Sequence, residues 1–220
     1  MCPLPVDVGG KMKEAIIKTG RWIMEKNLTW GTSGNISVRF NDEIYITASG
    51  TVIGDLKEDD IIICDLSGKI LEGNKKPSKE TGMHLEVYKA RPDVHAIVHT
   101  SPFYSTMCAC SEIELKPHLF IESMYYDNTV AVIPYHHAGS IQLAASVREA
   151  CEQTSVILMK NHGVLVYDQD LAECQSALEI TENVCKMNIL ANLGNIRLQE
   201  VAPEIVDDFL SGNYYKKRRD

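Results

Sequence analysis

Helical and strand-like hydrophobic patterns alternate along nearly the whole chain, and this alternation limits the folds that it can adopt. Apolar residues recur at helical spacing over residues 11–28, with charged residues between them, and a long final helix is predicted over residues 171–193. Residues 36–40 and 43–47 alternate instead, which predicts a half-buried antiparallel hairpin. Because no repeat, low-complexity tract or linker interrupts the chain, we expect a single domain over residues 1–220.

The middle of the chain contains shorter segments of both kinds. Helices are predicted for residues 78–90, 102–110 and 140–153, and strands for residues 61–64, 69–71, 94–99, 119–122, 130–133, 155–160 and 164–167. Ser78 can cap the first of these helices, Arg91-Pro92 ends it, and Gly194 is a natural C-cap for the final helix. Residues 212–220 are expected to form a mobile tail.

Charge and cysteine content exclude several classes of protein. The chain has 22 Lys and Arg residues against 30 Asp and Glu residues, a formal net charge of −8, so an extended polyanion such as nucleic acid is repelled. No run approaches the roughly 18 apolar residues of a membrane span, and residues 1–10 do not resemble a signal peptide. Seven scattered cysteines without a C-x-x-C pair argue against a disulfide scaffold or a thiolate zinc site. We therefore expect a cytoplasmic protein with neither a nucleic-acid nor a membrane partner.

Three polar turns interrupt the regular elements within the first eighty residues. They are Thr32-Ser33-Gly34-Asn35, Thr47-Ala48-Ser49-Gly50-Thr51 and Pro77-Ser78-Lys79-Glu80. Each offers backbone N–H groups and hydroxyls, and the helix that follows Ser78 adds the positive end of its dipole. If the three turns converge, they can hold one phosphate group without a basic surface. Taken singly, each is simply a turn.

Seven histidines supply the side chain that most often binds metals or carries protons near neutral pH. His99 ends an apolar strand, and His162 lies at the break between two apolar strands, where a rigid frame presents ligands well. Spacing alone leaves two interpretations, a pair of ligands or two structural histidines. Glu80 and His84 lie one helical turn apart, so His84 is a supporting partner, a proton relay or half of a surface pair.

Five ordered motifs carry a resemblance to a known family. They are T-S-G-N-I-S-V-R, I-T-A-S-G, E-G-x-x-K-P-S-K-E, H-x-x-V-Y-x-x-R-P-D-V-x-A-I-V-H-T and K-N-H-G-V-L-V. Together they resemble the class II aldolase/adducin family, and within it the L-fuculose-1-phosphate aldolase-like sugar-phosphate aldolases. The resemblance runs from the opening helix to Leu193.

This resemblance implies a fold, a cofactor and a reaction. The implied fold is α/β, a three-layer α/β/α sandwich around a mostly antiparallel sheet, assembled as a homotetramer with active sites at subunit interfaces. The implied cofactor is a divalent metal, Zn²⁺ first, held by His99 and His162, with Glu80 as the catalytic acid/base. The implied reaction cleaves a small ketose phosphate to dihydroxyacetone phosphate and an aldehyde. The residues implied for the substrate phosphate are Gly34, Asn35, Ser49, Gly50, Ser78 and Lys79.

One metal-ligand position departs from the family pattern. The family usually reads V-H-x-H at the strand end, whereas Ser101 stands here in place of the second histidine. A neutral hydroxyl is a poor substitute for an imidazole ligand. His137 in the turn I-P-Y-H-H-A-G-S is the first candidate for a replacement metal ligand, and the alternative is that this turn is only a polar loop. The weaker candidates are His136, His95 and Tyr104.

Three functions are compatible with these residues. A metal-dependent aldolase is the leading hypothesis, because Glu80, His99 and His162 are all present together with the glycine-bearing turns. An epimerase, dehydratase or decarboxylase of the same fold, acting on a related sugar phosphate, is the second, and the serine at position 101 favours such divergence. A non-catalytic adducin-like assembly module is the third, and the presence of both Glu80 and His162 argues against it.

Overall fold

A single sheet runs through the part of the chain that the computed structural model describes, which is residues 8–212, 214 and 215. Within those residues the sheet has eight strands in the order β4-β3-β2-β1-β5-β8-β7-β6. Neighbouring strands are antiparallel, except that β6 and β7 are parallel. The strands are β1 (Asn35–Phe40), β2 (Glu43–Thr47), β3 (Ile61–Asp65), β4 (Ile70–Glu72), β5 (Ala96–Thr100), β6 (Val130–Ile133), β7 (Val156–Met159) and β8 (Gly163–Asp168).

Helices cover both faces of this sheet, which confirms the expected three-layer α/β/α sandwich. The helices are α1 (Val8–Glu25), α2 (Thr81–Ala90), α3 (Phe103–Ala109), α4 (Ile121–Tyr126), α5 (Ile141–Cys151), α6 (Leu171–Leu193) and α7 (Pro203–Ser211), with 3-10 turns at Ile53–Asp55 and Glu58–Asp60. Buried residues of α1, α3, α4 and α6 pack into one core, and those of α2 and α5 into the other. The sheet therefore separates two hydrophobic cores.

Alternation along the strands decides which core receives each side chain. In β5, Val98 packs into the core beneath α6, whereas Ile97 packs into the core beneath α2. Because successive strand residues point to opposite faces, His99 lies on the same face as Ile97. Asn35 of β1 is the cross-strand partner of His99. These polar residues at the strand ends thus face the start of α2.

The longest helix matches its predicted bounds at both ends. Asp170 caps α6, because its side chain accepts a hydrogen bond from the Glu173 N–H, and Gly194 is the C-cap. No helix of the described residues combines the length and the apolar content needed to cross a bilayer.

The segment predicted as a strand over residues 119–122 is instead the start of α4. The Ser123 hydroxyl accepts hydrogen bonds from the N–H groups of Leu119 and Phe120 and donates one to the Phe120 carbonyl. These contacts form a helical turn, which the apolar sequence over residues 119–122 did not indicate. Helix α7 was not predicted either, although Pro203 at its first turn is a usual start signal. The predicted mobile tail falls largely outside the described residues, at positions 213 and 216–220.

Candidate active site

Three side chains from separate elements meet at the end of the central strands. The Oε2 atom of Glu80 lies 3.3 Å from Nε2 of His99, and its Oε1 atom lies 3.0 Å from Nε2 of His162. The two imidazole rings are 4.9 Å apart and nearly perpendicular. Glu80 precedes α2, His99 belongs to β5, and His162 lies in the turn between β7 and β8. The structure thus brings together three residues that lie up to 82 positions apart in the sequence.

His99 is held in one orientation by the neighbouring strand. Its Nδ1 atom lies 2.9 Å from the Val164 carbonyl, which can only accept a hydrogen bond, so Nδ1 carries the proton. Burial lowers the pKa of His99, and the nearby Glu80 carboxylate opposes that effect only in part. The ring is therefore neutral near pH 7, and its Nε2 lone pair points at Glu80. This is the tautomer that a metal-binding histidine requires.

The turn that carries His162 depends on local backbone geometry. Asn161 has a positive φ of 56°, a conformation that asparagine tolerates better than most residues. A Cβ atom at Gly163 would lie 2.5 Å from the Thr100 carbonyl oxygen, so only glycine lets β8 approach β5 this closely. The tight turn places His162 beside His99, half-buried at the rim of the site.

Glu80 is a buried carboxylate that stays ionised. Burial on its own raises the pKa of Glu80, but His99, His162 and the Asn35 amide outweigh it and hold the pKa below the usual range. The Nδ2 group of Asn35 donates a 2.9 Å hydrogen bond to Oε2. Glu80 is thus charged at neutral pH and able to act as a ligand or a base.

The donor atoms of this cluster fit a divalent cation. One donor atom from each of Glu80, His99 and His162 lies within 4.8 Å of the others. Neither imidazole makes a hydrogen bond of normal geometry to the carboxylate, and the buried Oε1 atom of Glu80 has no hydrogen-bond partner among the described residues. Nitrogen and oxygen donor atoms that converge in this way are arranged as they would be around an ion. Two imidazole nitrogens and one carboxylate oxygen suit Zn²⁺ and similar metals.

A chain of buried hydrogen bonds extends from Glu80 into the core beneath α2. The Oδ1 atom of Asn35 lies 2.6 Å from Nε2 of His84, and Ser37 Oγ lies 2.7 Å from Nδ1 of the same ring and 2.8 Å from the Tyr88 hydroxyl. His84 is fully buried, and burial lowers its pKa to about 3. His84 is therefore not half of a surface pair with Glu80, and it reaches Glu80 only through Asn35. One-turn spacing signalled the proximity of His84, but no sequence signal indicated the intermediate asparagine.

The three polar turns are joined to one another around Glu80. The Ser49 N–H donates to the Lys76 carbonyl and the Ser78 N–H donates to the Thr47 carbonyl, which ties the second turn to the third. The Ile36 N–H donates to the Thr47 hydroxyl, and Asn35 binds Glu80, which ties in the first. The residues expected to bind phosphate are thus brought to one end of the sheet: Gly34, Asn35, Ser49, Gly50, Ser78 and Lys79. Gly50 and Lys79 are exposed there, whereas Asn35 is buried.

Ser101 and His137 are placed differently from the three clustered residues. The Ser101 hydroxyl is buried, 2.6 Å from the Ser33 hydroxyl, and also donates to the His162 carbonyl at 3.4 Å. The exposed His137 ring lies 3.0 Å from the Tyr135 hydroxyl and does not join the cluster. Its turn is nevertheless close, because a Cβ atom at Gly139 would lie 2.7 Å from the Lys79 carbonyl oxygen.

The weaker ligand candidates also lie outside the cluster of donor atoms. His136 Nε2 lies 2.9 Å from the Ser146 hydroxyl, and His95 is exposed before the start of β5. The Tyr104 ring faces α6, where the Lys186 ammonium group lies 5.2 Å from the ring centroid.

Sequence comparison then decides the family. The profile described as "Class II Aldolase and Adducin N-terminal domain" matches residues 14–189. The chain belongs to this family. Class II aldolases are enzymes that depend on a divalent metal, and this family member is an enzyme of that type.

The similar proteins are named for more than one activity. The family member is 36% identical over 180 residues to an L-fuculose phosphate aldolase of Methanocaldococcus jannaschii, a match that covers 81% of this chain and 96% of the relative. It is 35% identical over 181 residues to a 3-oxo-tetronate 4-phosphate decarboxylase of Haemophilus influenzae, covering 80% and 85% of the two chains. A solved structure of L-fuculose 1-phosphate aldolase superposes with a TM-score of 0.85 and 32% identity, covering 90% and 94% of the two chains.

Proposed function

We propose that this class II aldolase cleaves a ketose 1-phosphate to dihydroxyacetone phosphate and an aldehyde. The observation that supports this proposal is the meeting of Glu80, His99 and His162 beside the three joined polar turns. One region then contains metal donors, an ionised carboxylate and the exposed Ser49, Gly50 and Lys79 of the polar turns. The named aldolases among its relatives support the same reaction.

The chain's own residues divide the chemistry between them. A bound divalent metal supplies a Lewis acid that draws electrons toward the substrate carbonyl. His99 and His162 are its proposed ligands, because both present Nε2 to one point. During cleavage the bond between the third and fourth carbons breaks, its electron pair goes to the three-carbon fragment, and the fourth-carbon hydroxyl becomes the aldehyde carbonyl. The ionised Glu80 carboxylate accepts the proton of the fourth-carbon hydroxyl and delivers it to the third carbon, and in the reverse direction it removes that proton from the third carbon and returns it to the aldehyde oxygen.

The polar turns are the proposed phosphate site. We assign the phosphate to Gly34, Asn35, Ser49, Gly50, Ser78 and Lys79. Ser78 was predicted to cap α2 but lies three residues before its first residue, Thr81, with Glu80 at the N-cap. The positive end of the helix dipole still favours an anion near this turn, and Lys79 adds a positive charge. Asn35 also binds Glu80, so its amide links the phosphate site to the acid/base. Holding the phosphate fixes the distance between the carbonyl and Glu80.

We propose Zn²⁺ as the resident metal, with His137 as a further ligand. The nitrogen and oxygen donors suit zinc. His137 becomes a ligand only if its ring leaves Tyr135, and the contact of Gly139 with Lys79 keeps its turn next to the site. Metal content of His137→Ala tests this role. Unchanged zinc stoichiometry and affinity would remove His137 from the ligand set.

The closing experiment combines metal analysis with a substrate panel. Purified protein loaded with Zn²⁺, Co²⁺ or Mn²⁺ is analysed for metal and then incubated with ketose 1-phosphates, and dihydroxyacetone phosphate is followed by a coupled reductase. We expect about one equivalent of metal, and a loss of about 10²–10⁴-fold in kcat for Glu80→Gln. Less than about a tenth of an equivalent, or near-normal turnover by Glu80→Gln, would contradict the proposal.

A decarboxylase acting on a related sugar phosphate is the second candidate. Two observations favour it: Ser101 replaces the usual histidine, and the Haemophilus influenzae relative is named a decarboxylase. Both reactions move an electron pair toward a carbonyl, so the same metal and acid/base serve either. If metal binds but no ketose 1-phosphate is cleaved, release of carbon dioxide from 3-oxo acid phosphates becomes the discriminating assay.

We further propose that the chain folds as one domain and assembles as a cytoplasmic homotetramer with active sites at subunit interfaces. Exposed apolar side chains support assembly: Leu190, Leu193 and Ile196 at the end of α6 and just after it. Charged sugar phosphates do not cross membranes unaided, so an enzyme that acts on them is expected in the compartment that makes them. Light scattering after size exclusion tests the assembly. A monomer at micromolar concentration would contradict it.

A further inference from the structure

The hydrogen bonds between Glu80 and Tyr88 form one continuous buried chain, and each link has a defined direction. The chain runs from Glu80 through Asn35, His84 and Ser37 to Tyr88. Each heavy-atom distance is between 2.6 and 2.9 Å. All five residues are buried, and His84 and Ser37 are fully so. Water therefore does not compete for these donors and acceptors.

The carboxylate at one end selects that direction. An ionised Glu80 only accepts, so the Asn35 amide must present its NH₂ group and turn its Oδ1 atom toward His84. Oδ1 then needs a donor, which the Nε2–H of a neutral His84 provides. The Nδ1 atom of His84 is left as an acceptor for the Ser37 hydroxyl, and the Tyr88 hydroxyl donates to Ser37. Every group in the chain is then satisfied.

The opposite direction of these hydrogen bonds would bring two acceptor atoms together. If His84 carried its proton on Nδ1, it would have no donor for Asn35. The Asn35 amide would then be free to rotate by half a turn and place its oxygen against Glu80 Oε2, now 2.9 Å from Nδ2. Two oxygens at that distance, one of them charged, repel each other. The tautomer of His84 thus decides which side of Asn35 faces Glu80.

We propose that His84 is a positioning residue for Glu80, which as the Nε2–H tautomer locks the Asn35 amide so that its NH₂ group holds Oε2 in place. His84 touches neither substrate nor metal. It acts by keeping the carboxylate aligned between His99 and His162. This inference rests on the proposed metal site at those residues, and it adds a requirement that His84 remain a donor toward Asn35.

The tautomer can be measured directly in the wild-type protein without substrate or metal. Long-range proton–nitrogen NMR of histidine-labelled protein distinguishes a protonated ring nitrogen from an unprotonated one, and the loss of signals in His84→Gln assigns the ring. We expect the proton of His84 on Nε2 and that of His99 on Nδ1, opposite tautomers within one site. A proton on Nδ1 of His84 would overturn the proposal.

Matched variants test the consequence for metal binding. His84→Gln keeps an NH₂ donor at the reach of Nε2, whereas His84→Leu keeps bulk and removes the donor. Met83→Ala, on the same helix and in the same core, removes packing but leaves the chain of hydrogen bonds. Cobalt affinity is measured by competition with a chromophoric chelator, and stability by urea unfolding of the same samples.

The expected pattern separates positioning from packing. We expect His84→Gln to retain cobalt affinity within about twofold and His84→Leu to lose about 10- to 100-fold, the usual cost of removing a residue that orients a ligand. Met83→Ala should lose stability and keep affinity. Equal affinities for His84→Leu and the wild type would overturn the proposal, as would an equal loss in Met83→Ala.

Two further outcomes have a defined meaning. If His84→Leu does not fold, the comparison of His84→Gln with the wild type and the tautomer measurement still decide the proposal. If the wild type binds no cobalt, the proposed function fails, and the tautomer of His84 alone supports or overturns its role toward Asn35.

Discussion

Asp127 is a fully buried carboxyl group whose replacement by asparagine should change how stability depends on pH. Its Oδ1 atom accepts a 2.7 Å hydrogen bond from the Thr181 hydroxyl, and Oδ2 has no hydrogen-bond partner among the described residues. Burial raises the pKa of Asp127 from 3.8 to about 7, and the Thr181 bond offsets only part of that rise. At a pH between these two pKa values, Asp127 is therefore neutral in the folded protein and ionised in the unfolded chain.

The sign and size of the effect follow from proton linkage. At a pH below the pKa of Asp127 in the unfolded chain, both states are protonated, and Asp127 does not lower the free energy of unfolding. As pH rises toward 7 the unfolded chain releases its proton first, so stability falls, and it levels off above the folded pKa. A shift of about three pKa units corresponds to about 4 kcal/mol in total, of which about 2.5 kcal/mol is lost between pH 5 and pH 8.5.

Urea unfolding at those two pH values tests this. Asp127→Asn removes the titration but keeps an acceptor for Thr181, so its stability relative to the wild type should improve by about 2.5 kcal/mol from pH 5 to pH 8.5. Asp207→Asn removes the same charge at an exposed position of α7 and is the control. If the difference between Asp127→Asn and the wild type does not change with pH, Asp127 is ionised in the folded protein and the reasoning fails.

Other predictions concern the metal and the turns around it. Ser101→His should raise zinc affinity by about 10-fold or more in chelator competition, because it adds an imidazole next to His162, and unchanged affinity would mean that the new ring does not reach the ion. Gly139→Ala should lower the free energy of unfolding in urea by about 2 kcal/mol, because φ is 77° and the added Cβ would meet the Lys79 carbonyl oxygen. An unchanged free energy would show that the turn is free to move. Zinc at about 100 times its Kd should add about 2.7 kcal/mol of stability that chelation removes, and a melting temperature indifferent to zinc would argue against a folded-state metal site.

The regular elements were predictable where local signals and burial agree. Helix α6 has a capping aspartate, a stripe of buried residues and a terminal glycine, and its observed bounds match those predicted from the sequence. The segment around Ser123 shows the opposite case. Its apolar run resembles a strand, but the serine hydroxyl satisfies two N–H groups in a tight turn, a choice that periodicity does not reveal.

The candidate site was predictable in part, for a different physical reason. Spacing could not pair His99 with His162, because only the antiparallel alignment of β5 and β8 brings residues 63 positions apart together. Resemblance to a family supplied that pairing. Resemblance did not supply the two contacts of Asn35, which was expected at the phosphate and also binds Glu80 and His84. A buried amide with two opposed partners becomes visible only in three dimensions.

The position of the site in the sheet affects how the protein should lose its activity. His99 lies on β5 and Asn35 on β1, two middle strands of the sheet, and His162 lies in the turn that leads into β8, the strand next to β5. Middle strands exchange their amide hydrogens only when the whole core opens, unlike loops that fray separately. The arrangement of His99 and Asn35 should therefore survive local fluctuations and be lost only with cooperative unfolding. Loss of activity on heating should therefore coincide with unfolding of the whole sheet.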